Sequence, residues 1–212
     1  GVMFRTYAPN AEKVMLFGDF TGWQEVAMEQ HRKSGVWEVF ISYAYPGQRY
    51  KFVIYGKKGR VEHCDPYGFG MEMRPGNCSV IRDLNEYQFS DSGWMRKRTR
   101  CYDKPLNIYE MHFGSWKKNW GKWFSYSEIA DTLITYLKEN GYNYVEFMPL
   151  SEHPFDGSWG YQNTGYFAPT SRYGTVSQLK YLIDKLHQNG IGAIIDFVPV
   201  HFAVDKFGLK RY

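Results

Sequence analysis

The sequence predicts a fold in two parts: an antiparallel all-β sandwich, then strands alternating with helices in a parallel sheet. Three observations predict it. Short apolar runs separated by turn residues fill positions 3–81. The pattern changes after Pro105. Two helix-opening motifs then alternate with apolar strands.

In the first part the runs are 3–7, 13–17, 36–43 and 50–55. Pro9 and Asn10, Gly18 and Asp19, Pro46 and Gly47, and Gly56 mark the turns between them. Strands at that spacing suit a sandwich. Residues 83–104 are polar and charged and are taken as a linker. They carry the densest basic run, Arg96, Lys97, Arg98 and Arg100, which reads as a solvated stretch.

Residues 107–113 are predicted as the first strand of the second part. Ser125 and Glu128 form a capping box that opens a helix. Ile129, Leu133 and Leu137 line one face of it. Asn140 and Gly141 end it, with Gly suited to a left-handed cap. The apolar run 144–150 reads as a strand buried on both faces. Thr175 and Gln178 form a second capping box, followed by the stripe Leu179, Leu182, Ile183 and Leu186. Asn189 and Gly190 close that helix, and 191–200 is the third strand. The order β-α-β-α-β fits a doubly wound sheet or a barrel, and periodicity does not choose between them. No phosphate-cradling Gly-rich loop follows the first strand, which weighs against a nucleotide site.

Composition narrows the class. The 212 residues are 43% hydrophobic and 23% charged, enough for two modest cores. Aromatics stand out, with 7 Trp, 18 Tyr and 15 Phe. They fit a β-rich core, and equally a surface that stacks on sugar rings. The net charge of +4 is mild and no nucleic-acid module is recognisable, so no nucleic-acid partner is expected. No long apolar run suggests a membrane. The three cysteines, Cys64, Cys78 and Cys101, form neither a disulfide framework nor a zinc pattern, and a cytoplasmic location with reduced thiols is expected. His112, His153 and His201 are not at metal-ligand spacing; no metal or cofactor is expected.

One connection is out of proportion. Residues 151–174, SEHPFDGSWGYQNTGYFAPTSRYG, show no helical period. Loops longer than about 12–15 residues in a compact domain are usually functional or disordered. Its Gly, aromatic and polar content is not that of a disordered segment. It follows a strand C-terminus, the end where α/β barrels carry their chemistry.

This loop closely resembles that of bacterial glycogen branching enzymes of the α-amylase superfamily. The first strand, IYEMHFGSW (108–116), and GIGAIIDFVPVHF (190–202) resemble their catalytic barrel. FRTYAPNA (4–11), GDFTGW (18–23) and DPY (65–67) resemble the starch-binding-type sandwich that precedes it. The resemblance implies an immunoglobulin-like sandwich at 1–82, a linker at 83–104, and the first three βα units of a (β/α)8 barrel at 105–212. It implies a glucanotransferase that cuts an α-1,4 bond of glycogen or amylose and passes the chain to a 6-hydroxyl. The alternatives are a non-catalytic α-glucan-binding module, or part of an isoamylase-type debranching or trehalose-forming hydrolase.

By the same resemblance the nucleophile and the acid/base lie beyond Tyr212, and no catalytic residue is assigned within the chain. Tyr161 matches a tyrosine that stacks on the sugar at the cleavage site. Asp196 matches a strand-end Asp that holds its neighbours by charge-assisted hydrogen bonds. His201 matches a histidine that bonds glucose hydroxyls. Trp159 and Gln162 are expected as subsite or supporting residues. The third-strand motif departs from the family at Phe197 and Val200, where Trp and a small residue are more common. In the sandwich, Trp23 and Lys51 match glycan-contacting positions of related modules, while Lys57 and Lys58 stand about where a second stacking Trp would be.

Overall fold

The computed structural model describes residues 1–32, 34–57, 59–98 and 103–210. Lys58, Cys101 and Arg100 at the end of the basic run lie outside the described residues. The chain forms two compact units, and their boundaries do not follow chain order. One unit combines Gly1–Asp83, Ser151–Pro169 and Pro199–Tyr212; the other combines Leu84–Leu150 and Thr170–Val198.

The first unit holds the sandwich. Its strands are β1 (Val2–Tyr7), β2 (Lys13–Gly18), β3 (Val26–Ala27), β4 (Glu29–Gln30), β5 (Val36–Ile41), β6 (Arg49–Gly56), β7 (Gly59–His63) and β8 (Ser79–Val80). One sheet runs β1-β5-β4 and the other β3-β2-β6-β7, with β8 also on β6. All these pairs are antiparallel. Strand alternation explains the core. Phe4 and Thr6 of β1 are buried while Met3, Arg5 and Tyr7, which alternate with them, are exposed. Phe4, Leu16, Trp37, Tyr50 and Phe52 meet in one apolar cluster. Phe4 packs at a tilt on Phe20 with ring centres 5.1 Å apart and meets Tyr50 edge-on at 5.0 Å.

The chain continues through α1 (Ser92–Lys97), β9 (Ile108–Met111), α2 (Phe113–Trp116), the ribbon β10 (Lys118–Asn119) and β11 (Lys122–Trp123), α3 (Ala130–Glu139) and β12 (Tyr144–Phe147). The hairpin strands β13 (Ser151–Glu152) and β14 (Gly165–Pro169) belong to the first unit. Then α4 (Val176–Gln188) and β15 (Gly192–Ile195) complete the second. There β15, β12 and β9 form a parallel sheet, with Val145 opposite both Ala193 and Tyr109.

Both expected capping boxes form. Glu128 Oε2 accepts from Ser125 N (2.8 Å) while Ser125 Oγ accepts from Glu128 N (3.2 Å), one turn ahead of α3. Thr175 and Gln178 do the same at α4. Leu133, Leu137, Leu182 and Leu186 are fully buried against Val145 and Phe147. Gly141 (φ 72°) and Gly190 (φ 74°) take the left-handed conformation after each helix.

Two expectations change. Tyr144 and Glu146 stay half-buried while Val145 and Phe147 are buried, so β12 is covered on one face in its unit. The third strand ends at Ile195, well short of position 200. One more ladder bond follows, Asp196 N to Phe147 O (3.0 Å), and Pro199 cannot donate another.

Residues 84–98 also gain a structure that their composition conceals. Buried Asp184 of α4 accepts hydrogen bonds from Tyr87 Oη (2.6 Å), Ser90 N (3.1 Å) and Ser90 Oγ (2.8 Å). His187 Nδ1 lies 2.7 Å from Asp91 Oδ2 while its ring stacks on Trp94.

Candidate functional site

The long loop is an ordered hairpin. Its base is the short β13–β14 pair, closed by Thr164 N to Glu152 O (2.8 Å). Glu152, His153, Asn163 and Thr164 are buried there. His153 Nδ1 lies 2.9 Å from Ser151 O, and because a carbonyl only accepts, that nitrogen carries the proton.

Above the base, Asp156–Ser158 makes a single 3₁₀ turn. Ser158 Oγ donates to Phe155 O (2.8 Å), Trp159 N to Asp156 O (3.1 Å) and Tyr161 N to Ser158 O (3.0 Å). These bonds raise Phe155 and Trp159 to the surface, 61% and 52% exposed, and leave Tyr161 half-buried and Gln162 exposed. The tip therefore offers aromatic faces on a backbone held by its own hydrogen bonds.

The hairpin is moored to the sandwich's 64–74 segment. Arg74 grips Asp156 with two bonds, one from Nε to Oδ1 at 2.9 Å. Cys64 Sγ donates to Thr164 O, and Thr164 Oγ1 to Met71 Sδ, both at 3.8 Å. Cys64, Met71 and Ala168 form a small buried cluster at this contact. Gly165 permits the approach, since a Cβ there would lie 2.5 Å from Met71 Sδ.

Three of the residues singled out in the sequence share an unusual backbone. Trp23 (φ 62°), Trp159 (φ 56°) and His201 (φ 58°) are left-handed, as are Arg32 and Trp120 among the described non-glycine residues. Such positions cost about 1–3 kcal/mol each and concentrate at functional sites. Trp23 is fixed further by Nε1 donating to Asp19 Oδ1 (3.2 Å), by Phe17 edge-on at 5.4 Å, and by the Arg49 guanidinium 5.7 Å from the ring. The Arg49 hydrogen bonds hold the Asp19 carboxyl below its ordinary range, so the anion that orients Trp23 persists in mild acid.

The other candidates fall as follows. Asp196, half-buried, stands just past β15 in the second unit. His201 is exposed in the first unit, on the segment that returns to the sandwich. Lys51 is buried, 6% exposed, and its ammonium sits 3.7 Å above the Phe207 ring. Phe155 is an exposed aromatic of the loop tip that sequence reasoning passed over; its signal was the aromatic content of the loop itself. Phe207 carried no motif at all.

A cavity of about 630 Å³ lies in the first unit, lined by Met71, Arg74, Glu152, His153, Asp205 and Phe207 among others. None of the sugar-contact candidates lines it. Among the described residues no group of three or more His, Cys, Asp and Glu is placed to hold a metal, and no helix is long and apolar enough to cross a membrane.

Known families account for both parts. Residues 1–68 match carbohydrate-binding module 48 (isoamylase N-terminal domain), and residues 107–210 match the alpha amylase catalytic domain. The chain is thus an immunoglobulin-like sandwich followed by the start of an alpha-amylase catalytic domain. Branching enzymes are among the proteins it is similar to. It is 48% identical over 216 residues to the 1,4-alpha-glucan branching enzyme GlgB of Francisella tularensis subsp. novicida, covering 99% of this chain and 34% of that protein. It is 44% identical to 1,4-alpha-glucan branching enzyme GlgB 2 of Clostridium perfringens, covering 100% of this chain and 33% of that protein. The chain thus spans about a third of the length of the curated relatives it matches.

Solved structures agree on the fold. The pullulanase of Bacillus acidopullulyticus superposes with a TM-score of 0.73 at 25% identity, over 94% of this chain and 28% of that one. A pullulanase of Anoxybacillus sp. LM18-11 gives 0.71 at 23% identity, over 92% and 33%.

Proposed function

We propose that the protein carrying this chain is a 1,4-α-glucan branching enzyme: it cleaves an α-1,4 bond of glycogen or amylose and transfers the glucan to a 6-hydroxyl. The observation that carries this reading is the 151–169 hairpin, whose moored base and aromatic tip present Tyr161 and Trp159. Sequence identity to branching enzymes, Francisella tularensis GlgB among them, supports it.

Retaining glucan transfer needs a nucleophile and an acid/base about 5–5.5 Å apart. We assign neither to residues 1–212 and place both on later barrel strands. The contribution of this chain is then to bind and orient sugar. Tyr161 offers a ring face to the glucosyl unit at the cleaved bond, and Trp159 and Gln162 extend the subsite. Asp196 accepts hydrogen bonds that hold neighbouring groups, and His201 exchanges them with glucose hydroxyls. On the sandwich, Trp23 is a preset stacking platform for a neighbouring glucan chain. The domain order is sandwich at 1–82, linker at 83–104 and barrel from 105. The location is cytoplasmic, which suits Cys64 and Cys78: both are buried, and burial pushes their thiols up to about 12 and about 11, so neither is poised for oxidation.

The pullulanase likeness gives a second reading, debranching, in which the same sandwich and barrel hydrolyse α-1,6 bonds. Incubating the full-length protein separately with amylose and with pullulan separates them. Branching lowers the iodine colour of amylose without releasing reducing ends; debranching releases reducing ends from pullulan and leaves amylose unchanged.

A further inference from the structure

We propose that the Lys51–Phe207 contact fastens the His201 segment to the sandwich, so that both residues position a sugar-binding group instead of touching sugar. The inference rests on the reading of His201 as a sugar contact.

The segment after Pro199 returns to the sandwich and is pinned at successive points. Ala203, buried, donates from N to Asn163 O (2.9 Å), on the hairpin that carries Trp159 and Tyr161. Asp205 Oδ1 accepts from Phe207 N (2.8 Å) and from Gly208 N, which closes a turn. Cys64 N, just past β7, donates to Phe207 O (2.9 Å). His63, 1% exposed, donates from Nδ1 to Gly208 O (2.8 Å). Between these bonds, the Phe207 ring covers the Lys51 ammonium at 3.7 Å.

A buried ammonium is costly unless something replaces its water, and a ring face at this distance offsets part of that cost. The contact therefore has two consequences. Lys51 is withdrawn from the surface where a glycan would meet it. Phe207, six positions after His201, becomes a side-chain anchor beside the bonds made by His63 and the main chain. His201 is two residues from the Ala203 anchor and holds a left-handed backbone that its surroundings must enforce. A shift of about 1 Å in a positioning group can cost on the order of 10²-fold in rate, so a modest loosening here is readable in kinetics.

The test uses the full-length protein with amylose. Phe207→Leu keeps bulk and removes the ring face; Lys51→Met keeps the stem and removes the charge. Each single variant is expected to raise KM about five- to tenfold with a smaller change in kcat, and the double variant to be no worse than the poorer single. Phe207→Tyr and Lys51→Arg should restore wild-type KM. Retention on a glycogen-containing native gel, which reads the Trp23 platform, should not change in any of them.

Wild-type KM in both singles, or effects that multiply in the double, would overturn the proposal. So would a Lys51→Met variant that loses gel retention as Trp23→Ala does while Phe207→Leu does not, since Lys51 would then be a glycan contact. If Phe207→Leu does not fold, amide exchange in Lys51→Met decides. Faster exchange confined to 203–208 supports the fastening, and unchanged exchange there refutes it. A wild-type protein that forms no α-1,6 bonds refutes the proposed function. A branching wild type that is impaired by His201→Ala and indifferent to Phe207→Leu refutes this inference alone.

Discussion

At Trp159 backbone and side chain pull in opposite directions. The left-handed φ of 56° favours glycine, while the half-exposed ring is the face we propose for sugar. Trp159→Gly should therefore leave stability within about 1 kcal/mol, because relieved strain offsets the lost contacts. In the full-length protein the same change should raise KM for amylose. Parallel urea melts and kinetics check this; a collapse in stability would make the ring a structural plug. Asp65 makes a different residue-scale prediction. Burial pushes its carboxyl up to about 6 from 3.8, against hydrogen bonds from Tyr50 Oη (2.7 Å) and Tyr67 N (2.8 Å) that favour the anion. The folded state then takes up a proton before the unfolded state does. This group alone makes folding more favourable as pH falls through about 6 toward 4, and the gain is absent well above 6. Relative to Asp65→Asn, the wild type should gain stability between about pH 7.5 and pH 4.5 in urea titrations. A pH-independent difference contradicts it. Trp159, Tyr161 and His201 could be singled out in sequence because they sit in recognisable motifs. Phe207 was not, since its significance lies in Lys51, 156 positions earlier in the chain.

Among the elements, α4 organises the second unit. Its start was legible, because Thr175 and Gln178 satisfy each other's backbone locally and the apolar stripe repeats at helical spacing. Leu182, fully buried in that stripe, should cost about 2–5 kcal/mol when replaced by Ala. Asp184 on the same helix was not legible as an anchor. Its partners Tyr87 and Ser90 lie 97 and 94 residues away, and residues rich in Asp, Ser, Gly and Arg look like linker. Asp184→Ala leaves those donors without an acceptor and should destabilise by about 2–4 kcal/mol in urea. Proteolysis should open first within 84–98. A change below about 0.5 kcal/mol would show that these bonds merely replace equivalent bonds to water. The strand ends were the least legible part. The apolar run 191–200 continues past Ile195, and only the ladder reveals that pairing stops near Asp196.

For the whole molecule, chain order and spatial grouping part company. The hairpin after β12 and the segment after Pro199 leave the α/β unit and join the sandwich, so the residues read as sugar contacts divide between units. Tyr161, Trp159, Gln162 and His201 fall in the first, Asp196 in the second. The sandwich is thus the support for the loops that we propose meet substrate, in addition to any glycan it holds through Trp23. That account depends on the hairpin being a sugar site of a branching enzyme. The direct measurement is the rate at which the full-length protein introduces α-1,6 linkages into amylose, read by proton NMR, for wild type and Tyr161→Ala, with melting temperatures alongside. The account predicts new α-1,6 linkages from the wild type, a rate lower by about 10²-fold in the variant, and nearly equal melting temperatures. A wild type that forms no α-1,6 linkages, or a variant that branches at the wild-type rate, would contradict it.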